Sequence, residues 1–133
     1  MTDQTFTIRE MCEAFAVTPR TLRFYEQKEL LFPERDGMQR RFTRRDRARL
    51  KLILRGKRFG FSLEEIRQLL ELYERGDGQV RQLRRSLEMA RARLSDLTRQ
   101  RDEMTGAIAD LAQQIRLVEG TLASLGKRPH AAE

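Results

Sequence analysis

Apolar positions near the amino terminus recur at helical spacing, and capping residues interrupt them at short intervals. Thr7 and Glu10 have the spacing of a capping box, and the apolar residues that follow predict a first helix over residues 8–15. Thr18 is a favoured N-cap residue and a proline follows it, so a second helix is predicted over residues 19–28. The short break between them predicts a helix-turn-helix, whose second helix has the width to enter a DNA major groove.

The segment over residues 32–42 predicts a β-hairpin that forms a wing beside these helices. Asp36-Gly37 lies at its centre and is a strong two-residue turn signal, because both turn residues of the favoured hairpin type take positive φ. Arg40 and Arg41 follow on the returning strand, where a wing meets the DNA backbone. We expect both arginines to contact phosphates.

Two more capping boxes predict the next helices of the head. One begins at Thr43 and opens a third helix that ends at Gly60, and another begins at Ser62 and opens a fourth. Glycines close the fourth helix near residue 76. The sequence therefore predicts a winged helix-turn-helix head over residues 1–76.

From residue 80 onward, apolar residues alternate in steps of three and four over 46 residues, which is roughly 69 Å of helix. Thirteen of the 14 positions in this seam are apolar, which predicts a heptad coiled coil that needs a partner helix. A second copy of the chain is the simplest partner. We predict a dimerising helix over residues 77–125 and a flexible tail over 126–133. The seam positions are Val80, Leu83, Leu87, Ala90, Leu94, Leu97, Arg101, Met104, Ile108, Leu111, Ile115, Val118, Leu122 and Leu125.

Arg101 is the one charged position in the seam, and it distinguishes two dimer geometries. In a parallel pair in register it faces the same arginine of the partner, whereas in an antiparallel pair centred on the seam it faces Met104. The antiparallel pair is therefore favoured. Gly106 and Gly120 weaken the helix, so a bend or an earlier end of the coil stays open.

The excess positive charge of the chain lies in the head. The net charge is +7, and residues 1–61 carry 15 Lys and Arg against 8 Asp and Glu while the rest of the chain is neutral. Between Gln39 and Arg58 ten basic residues stand against the single acid Asp46. Such a patch indicates a surface that binds a polyanion. The alternative is a solvated helix face, and we prefer phosphate contact because the patch coincides with the predicted wing.

The second helix carries the candidate base-reading residues. Arg20, Thr21 and Arg23 face outward in the predicted helix, within reach of phosphates or base edges, and arginine reads guanine bidentately. Tyr25 is a candidate donor to a phosphate. One of the two rings of Phe24 and Tyr25 is expected to pack in the core instead.

Cysteine and histidine usage excludes several classes of site. Cys12 and His130 are the single residues of their types, so no internal disulfide, cysteine-rich zinc site or nucleophile-base pair is expected. Cys12 lies among apolar neighbours and is interpreted as a core residue rather than a redox sensor. We expect no cofactor and no enzyme activity. Without a secretion signal or an apolar run of membrane length, a cytoplasmic protein with no membrane partner is expected.

Five stretches of the chain, taken in order, resemble the MerR family of transcription regulators. The resemblance covers about residues 6–75, and the long C-terminal seam agrees with it in kind. Ala16 stands where a glycine is common in the family, and Phe24 where a tyrosine is common. The stretches are 6–11 (FTIREM), 17–26 (VTPRTLRFYE), 30–33 (LLFP), 41–43 (RFT) and 59–66 (FGFSLEEI).

The resemblance implies a homodimer, joined by an antiparallel coiled coil, that binds an inverted repeat within a promoter. Family members bend and untwist the DNA so that RNA polymerase engages both promoter elements, and some also repress. By position, the resemblance implies that the family's wing contacts fall on Arg40 and Arg41 and that a third backbone contact falls near Lys57 and Arg58. The family's recognition-helix contacts fall on Arg20, Thr21, Arg23 and Tyr25. The candidate DNA-contact residues are Thr18, Arg20, Thr21, Arg23, Tyr25, Arg40, Arg41, Lys57 and Arg58.

One part of the family is a narrower match. Residues 50–62 (LKLILRGKRFGFS) with Leu72-Tyr73 are similar to the branch that controls leucine, isovalerate and fatty-acid degradation genes. The metal and redox branches use cysteines around the C-terminal helix, and this chain has none there. A drug-binding domain is not expected after Leu125. An effector, if one exists, is expected to be a small metabolite such as an acyl-CoA, bound between head and coil.

The sequence thus predicts a mainly α fold, with a winged helix-turn-helix head, a short β-hairpin wing and a long dimerising coiled-coil helix. The first functional hypothesis is a DNA-binding transcription regulator. A second is an architectural DNA-bending protein without an effector. A third is a coiled-coil adaptor whose basic head binds an acidic protein.

Overall fold

The computed structural model of the chain describes residues 4–74 and 79–127. Within those residues it is mostly helical, with one two-stranded antiparallel hairpin between the second and third helices. The predicted fold class is confirmed. The elements are α1 (Ile8–Phe15), α2 (Pro19–Gln27), β1 (Glu34–Asp36), β2 (Gln39–Arg41), α3 (Arg44–Phe59), α4 (Leu63–Glu74) and α5 (Gln79–Lys127).

The two helices of the helix-turn-helix begin at their predicted caps. The Thr7 hydroxyl accepts a hydrogen bond from the backbone N–H of Glu10, whose carboxylate accepts one from the N–H of Thr7. The hydroxyl of Thr18 caps α2 by accepting a hydrogen bond from the backbone N–H of Thr21. These bonds satisfy backbone donors that have no partner inside a helix. α2 ends at Gln27, one residue before the predicted end, because Lys28 is its C-cap.

The turn of the wing lies one residue later than predicted. β1 and β2 are joined by Gly37 and Met38, and Asp36 pairs with Gln39 in the ladder instead of occupying the turn. Gly37 has a φ of 64°, and Met38 is not among the residues with positive φ. A glycine at positive φ followed by a residue at negative φ is the pattern of a type II′ hairpin turn. The prediction that Asp36 and Gly37 both take positive φ is therefore wrong.

One apolar cluster holds the head together. It takes side chains from each of α1 to α4, from the loop after α2, and from the start of α5 through Met89. Its members exclude apolar surface from water, which is the main stabilising contribution in a head of this size. The buried residues are Met11, Leu22, Tyr25, Leu30, Leu31, Phe42, Leu50, Ile53, Phe61, Ile66, Leu70 and Met89.

α3 and α4 approach each other closely at Gly56. A Cβ atom at this position would lie 2.8 Å from Cγ1 of Ile66, a distance that side chains do not tolerate without a shift. Gly60 then ends α3 with a φ of 83°, a left-handed conformation that glycine adopts without strain. These two glycines allow the α3–α4 pair to fold back tightly.

α5 runs without interruption from Gln79 to Lys127, through both Gly106 and Gly120. The earlier end that the sequence left open does not occur at either glycine. The chain packs as two compact units, divided between Met89 and Ala90. The boundary predicted at residue 76 lies outside the described residues, as do residues 128–133 of the predicted tail.

Candidate nucleic-acid interface

The outer face of α2 presents two arginines to solvent. Leu22 is fully buried and anchors the helix, whereas Arg20 and Arg23 on either side of it are exposed. Neither arginine has an ion-pair partner among residues 4–74 and 79–127. Contact with phosphates and base edges requires side-chain donors that are accessible on the second helix of a helix-turn-helix, and these two guanidinium groups meet that requirement.

Thr18 and Thr21 are tied to each other. The Thr18 hydroxyl accepts the backbone N–H of Thr21 at 3.2 Å, and the two hydroxyl oxygens lie 3.0 Å apart. Thr18 thus has a capping role at the start of α2. Thr21 is partly buried and Thr18 is exposed. Both belong to the amino-terminal end of α2, where a backbone phosphate is also favoured.

The structure decides which of the two adjacent rings packs in the core. Tyr25 is 5% exposed and belongs to the apolar cluster, and its burial raises the pKa of the phenol above its usual value. Phe24 is the exposed ring, at 42%, and Lys28 Nζ lies 5.6 Å from its centroid. The ring of Tyr25 therefore supports the fold, and its part in DNA contact stays a prediction.

The wing arginines are engaged by carboxylates of the head. Arg40 Nε donates to Glu26 Oε1 at 2.6 Å, and Arg35 Nη2 donates to Glu26 Oε2 at 3.0 Å. Arg41 Nη2 donates to Asp36 Oδ2 at 3.4 Å. Arg40 and Arg41 are both partly buried, and their contact with phosphates stays a prediction.

Four more residues of the basic patch between Gln39 and Arg58 lie in α3 and have partners within the head. Arg45 and Arg49 both donate to the carboxylate of Glu74. Arg47 lies over the rings of two phenylalanines, 4.5 Å from one centroid and 5.5 Å from the other, and Arg44 donates to the side-chain amide of Gln4. Much of the basic patch therefore stabilises the head, because guanidinium groups can pair with carboxylates and stack on rings.

Arg49 is the most buried of these cations. Its side chain is 7% exposed, its Nε donates to the carbonyl of Leu30 at 2.7 Å, and its Nη1 donates to Glu74 at 2.6 Å. Hydrogen bonds from Arg45 and Arg49 hold the pKa of the Glu74 carboxyl at about 2, below its ordinary value of 4.5. The three charges connect the end of α4 to α3 and to the loop after α2.

The remaining basic residues of the run form an exposed set on α3. Lys51, Arg55, Lys57 and Arg58 are exposed and have no ion pair among the described residues. Lys51, Arg55 and Arg58 share one helix face because they are separated by four and three residues. Only Lys57 and Arg58 were predicted as contacts, and helical spacing along α3 is the signal that identifies Lys51 and Arg55 as well.

Cys12 is half-buried on α1. Burial raises the pKa of its thiol above the usual value, against a smaller opposing effect of Arg23. A raised pKa disfavours the reactive thiolate. The interpretation of Cys12 as a packing residue agrees with this environment.

The heptad seam of α5 is an exposed apolar stripe. The predicted dimerisation residues from Leu83 to Ile115 are between 36% and 64% exposed wherever they are large and apolar. Arg101 is exposed within this stripe and its guanidinium contacts the carboxylate of Asp102 at 3.3 Å. A stripe this long on one chain indicates a face that is covered by another helix.

Other classes of site are not found in the described part of the chain. No three His, Cys, Asp or Glu side chains there are grouped so that they could hold a metal ion. None of the helices in residues 4–74 and 79–127 combines the length and the apolar character needed to cross a bilayer.

Two family models match the chain. One, described as MerR HTH family regulatory protein, matches residues 6–72, and another, described as MerR, DNA binding, matches residues 47–117. Together they cover the helix-turn-helix, the wing, α3, α4 and most of α5.

Curated relatives match the head at moderate identity. The HTH-type transcriptional regulator ZntR of Escherichia coli strain K12 is 39% identical over 69 residues, which are 50% of this chain and 49% of ZntR. The HTH-type transcriptional regulator HmrR of Rhizobium leguminosarum bv. viciae is 41% identical over 71 residues, which are 53% of this chain and 55% of HmrR. The chain spans about half the length of the curated relatives it matches.

A solved structure is similar over nearly the whole chain. HiNmlR, described as a MerR family regulator lacking the sensor domain and bound to promoter DNA, is 31% identical with a TM-score of 0.50. The similarity covers 93% of this chain and 88% of HiNmlR.

Proposed function

The chain belongs to the MerR family of DNA-binding transcription regulators, and we propose that it acts as a homodimer on an inverted repeat within a promoter. The observation that carries the proposal is the pair of exposed arginines on α2, the second helix of the helix-turn-helix, which have no ion pair within residues 4–74 and 79–127. Arg20 and Arg23 are placed to read bases, since they flank the buried Leu22 on a capped helix. HiNmlR supports the proposal, because it was solved on promoter DNA without a sensor domain.

Backbone contacts come from the wing and from the end of α3. The side chain of Arg41 is 35% exposed beside Asp36, and Lys57 and Arg58 are exposed in the last turn of α3. Each such cation contributes a phosphate contact without reading sequence. Lys51 and Arg55 are further candidates for the same role. Contacts at the wing and at α3 would fix the position of the recognition helix on the duplex.

The dimer forms through the seam of α5, with the two helices antiparallel. This arrangement places Arg101 opposite Met104 of the second copy and avoids two facing arginines. A long apolar stripe that is exposed in one chain supports association, since burying it removes apolar area from water. Two heads joined by one coil match the two halves of an inverted repeat.

The regulated genes are proposed from the narrower resemblance of α3 and α4. Residues 50–62 are similar to the branch that controls leucine, isovalerate and fatty-acid degradation, so branched-chain amino-acid or acyl-CoA catabolic genes are the proposed targets. An acyl-CoA or related metabolite is the proposed effector. RNA polymerase is the proposed indirect partner at the promoter, in the cytoplasm.

Selection of genomic fragments on the purified protein, followed by sequencing, tests the proposal. We expect a small set of promoter fragments with an inverted repeat, located near catabolic genes of the proposed class. Fragments without a shared symmetric motif would overturn specific promoter binding and favour an architectural role. A protein that binds no duplex at moderate salt would instead support the adaptor hypothesis.

Arginine substitutions on α2 test the base-reading role with the selected fragment. Arg20→Gln or Arg23→Gln should weaken binding to that fragment by about 10-fold to 100-fold, with a smaller loss on random duplex. Arg116→Gln, at an exposed position of α5, makes the same change of charge and serves as the control. Equal losses on the selected and random duplexes would contradict base reading by α2.

A further inference from the structure

Glu26 connects the recognition helix α2 to the wing, residues 34–41. Its side chain is 21% exposed, and each carboxylate oxygen accepts a hydrogen bond from a different wing arginine. Oε1 accepts from Arg40 at 2.6 Å and Oε2 accepts from Arg35 at 3.0 Å. Ion-pair hydrogen bonds of this length are the stronger kind in proteins. One side chain of the recognition helix therefore holds both strands of the wing.

The register of the hairpin explains why a carboxylate is needed at this place. Arg35 and Arg40 are direct partners in the ladder, so two cations face each other across the two strands. Like charges at directly opposed positions destabilise a hairpin. Glu26 offsets this repulsion by bonding to both arginines.

Burial differs between the two arginines, and it separates their roles. The side chain of Arg40 is 23% exposed, whereas that of Arg35 is 53% exposed. A guanidinium has five N–H donors, and Arg35 gives one of them to Glu26. Arg35 therefore retains donors in solvent while its position is fixed, and Arg40 is mainly an internal connection.

We propose that Glu26 is a positioning residue that fixes the wing relative to the recognition helix, and that Arg35, held by Glu26, contacts a DNA phosphate. The inference rests on the proposed function. Specific binding requires the helix and the wing to engage the duplex together, so a wing released from α2 loses discrimination. Random duplex, which is bound mainly through charge, tolerates that release.

The connection is tested first in the free protein. A spin label on Met38→Cys in a Cys12→Ala background reports on the turn of the wing, because Met38 is 96% exposed. Glu26→Gln should increase the mobility of this label. Glu34→Gln, an exposed position of β1 without an ion pair among the described residues, makes the same charge change and should leave the mobility unaltered. Equal mobility in all three proteins would overturn the positioning role without reference to DNA.

The consequence for recognition is tested with the selected fragment and a random duplex of equal length. Glu26→Gln should lower the ratio of specific to random affinity by about tenfold. Glu34→Gln should raise both affinities slightly and keep the ratio. An unchanged ratio in Glu26→Gln overturns the inference. If even the wild-type protein prefers no fragment, the proposed function has failed instead.

Arg35→Gln tests the phosphate contact by a route that does not depend on Glu26→Gln folding well. The change at this half-exposed position should weaken binding to both duplexes and reduce the slope of log K against log salt by about 0.9. An unchanged slope with full affinity would show that Arg35 does not contact phosphate. A circular-dichroism melt of each variant establishes that the head is folded.

Discussion

Single arginines of the head have two different functions that their identity does not reveal. Arg49 is buried and bonds to the carbonyl of Leu30 and to Glu74, whereas Arg20 is exposed without an ion pair among the described residues. Removing Arg49 would take the side-chain donor from the Leu30 carbonyl and one of two arginine partners from Glu74, whereas replacing an exposed cation costs the fold little. Charge counting along the sequence treats both alike, so the net charge overstates what is available to DNA.

Ala16 carries a local strain that a glycine would relieve. Its φ of 54° and ψ of 47° place it in the left-handed region at the end of α1. Ala16→Gly should increase the free energy of unfolding by about 0.5–1 kcal/mol. Ala14→Gly, inside the same helix, should decrease it by about 1 kcal/mol. Urea unfolding at one fixed protein concentration measures both, and a loss of stability in Ala16→Gly would contradict the strain.

Glu74 makes the stability of the head depend on pH. Its folded pKa of about 2 lies below the ordinary value of 4.5, so it stabilises the fold above pH 4.5 and loses this contribution as the pH falls towards 2. Since the side chain is one-third exposed, we expect Glu74→Gln to cost about 1–2 kcal/mol at pH 7. The difference from wild type should shrink between pH 4.5 and 2.

The control for this pH series is Glu71→Gln, an exposed position of α4. It should change the unfolding free energy little at any pH. A Glu74→Gln deficit that stays constant down to pH 2 would show that the carboxylate does not titrate with a lowered pKa.

At the scale of elements, caps determined most of the secondary structure. The boxes at Thr7, Thr43 and Ser62 each form the expected pair of hydrogen bonds, because a cap depends only on residues three positions apart. The hairpin turn was predicted one residue early. The segment Asp36-Gly37-Met38 fits a turn at Asp36-Gly37 and also a turn at Gly37-Met38 with glycine in the first turn position. The ladder register decided between them.

The contact of α3 with α4 depends on the absence of a side chain at residue 56. Gly56→Ala should lower the free energy of unfolding by about 1–3 kcal/mol, because the new methyl group would press on Ile66. Gly106→Ala is the matched control, since apart from the adjoining backbone of α5 nothing lies within 4 Å of its Cβ position. It should raise helix stability by about 0.5–1 kcal/mol. Calorimetry measures the free energy of unfolding of both variants. A gain in stability for Gly56→Ala as well as for Gly106→Ala would contradict the close contact between residue 56 and Ile66.

In the whole molecule, the apolar seam of α5 is a surface that one chain alone leaves exposed to water. Its apolar residues are exposed over the length of the helix, and the interpretation that a second copy covers them follows from the heptad period. Gly106 and Gly120 lie off the seam, two positions after Met104 and Val118. Their weakening of the helix therefore leaves the apolar stripe itself unbroken.

Cysteine crosslinking distinguishes the two coil directions. With Arg101 opposite Met104, Leu94 lies opposite Leu111 of the partner, so a mixture of Leu94→Cys and Leu111→Cys proteins in a Cys12→Ala background should crosslink on mild oxidation. Leu94→Cys alone should not, because its two copies would lie about 25 Å apart along the coil. Non-reducing electrophoresis measures the product.

Leu117→Cys, an exposed position outside the seam, replaces Leu111→Cys as the control and should give little crosslink with Leu94→Cys. Efficient crosslinking of Leu94→Cys to itself would show that the helices are parallel. It would also place two arginines against each other at residue 101.

The caps, the helix-turn-helix, the wing and the heptad seam could be predicted from the chain alone, because each depends on residues close together along it or on a regular period. The tertiary structure decided which arginines are available, since Arg40 meets Glu26 across 14 positions and Arg45 meets Glu74 across 29. It also decided that Tyr25 is buried and Phe24 exposed. Contacts between residues this far apart depend on how helices pack, and neighbouring residues along the chain do not encode that packing.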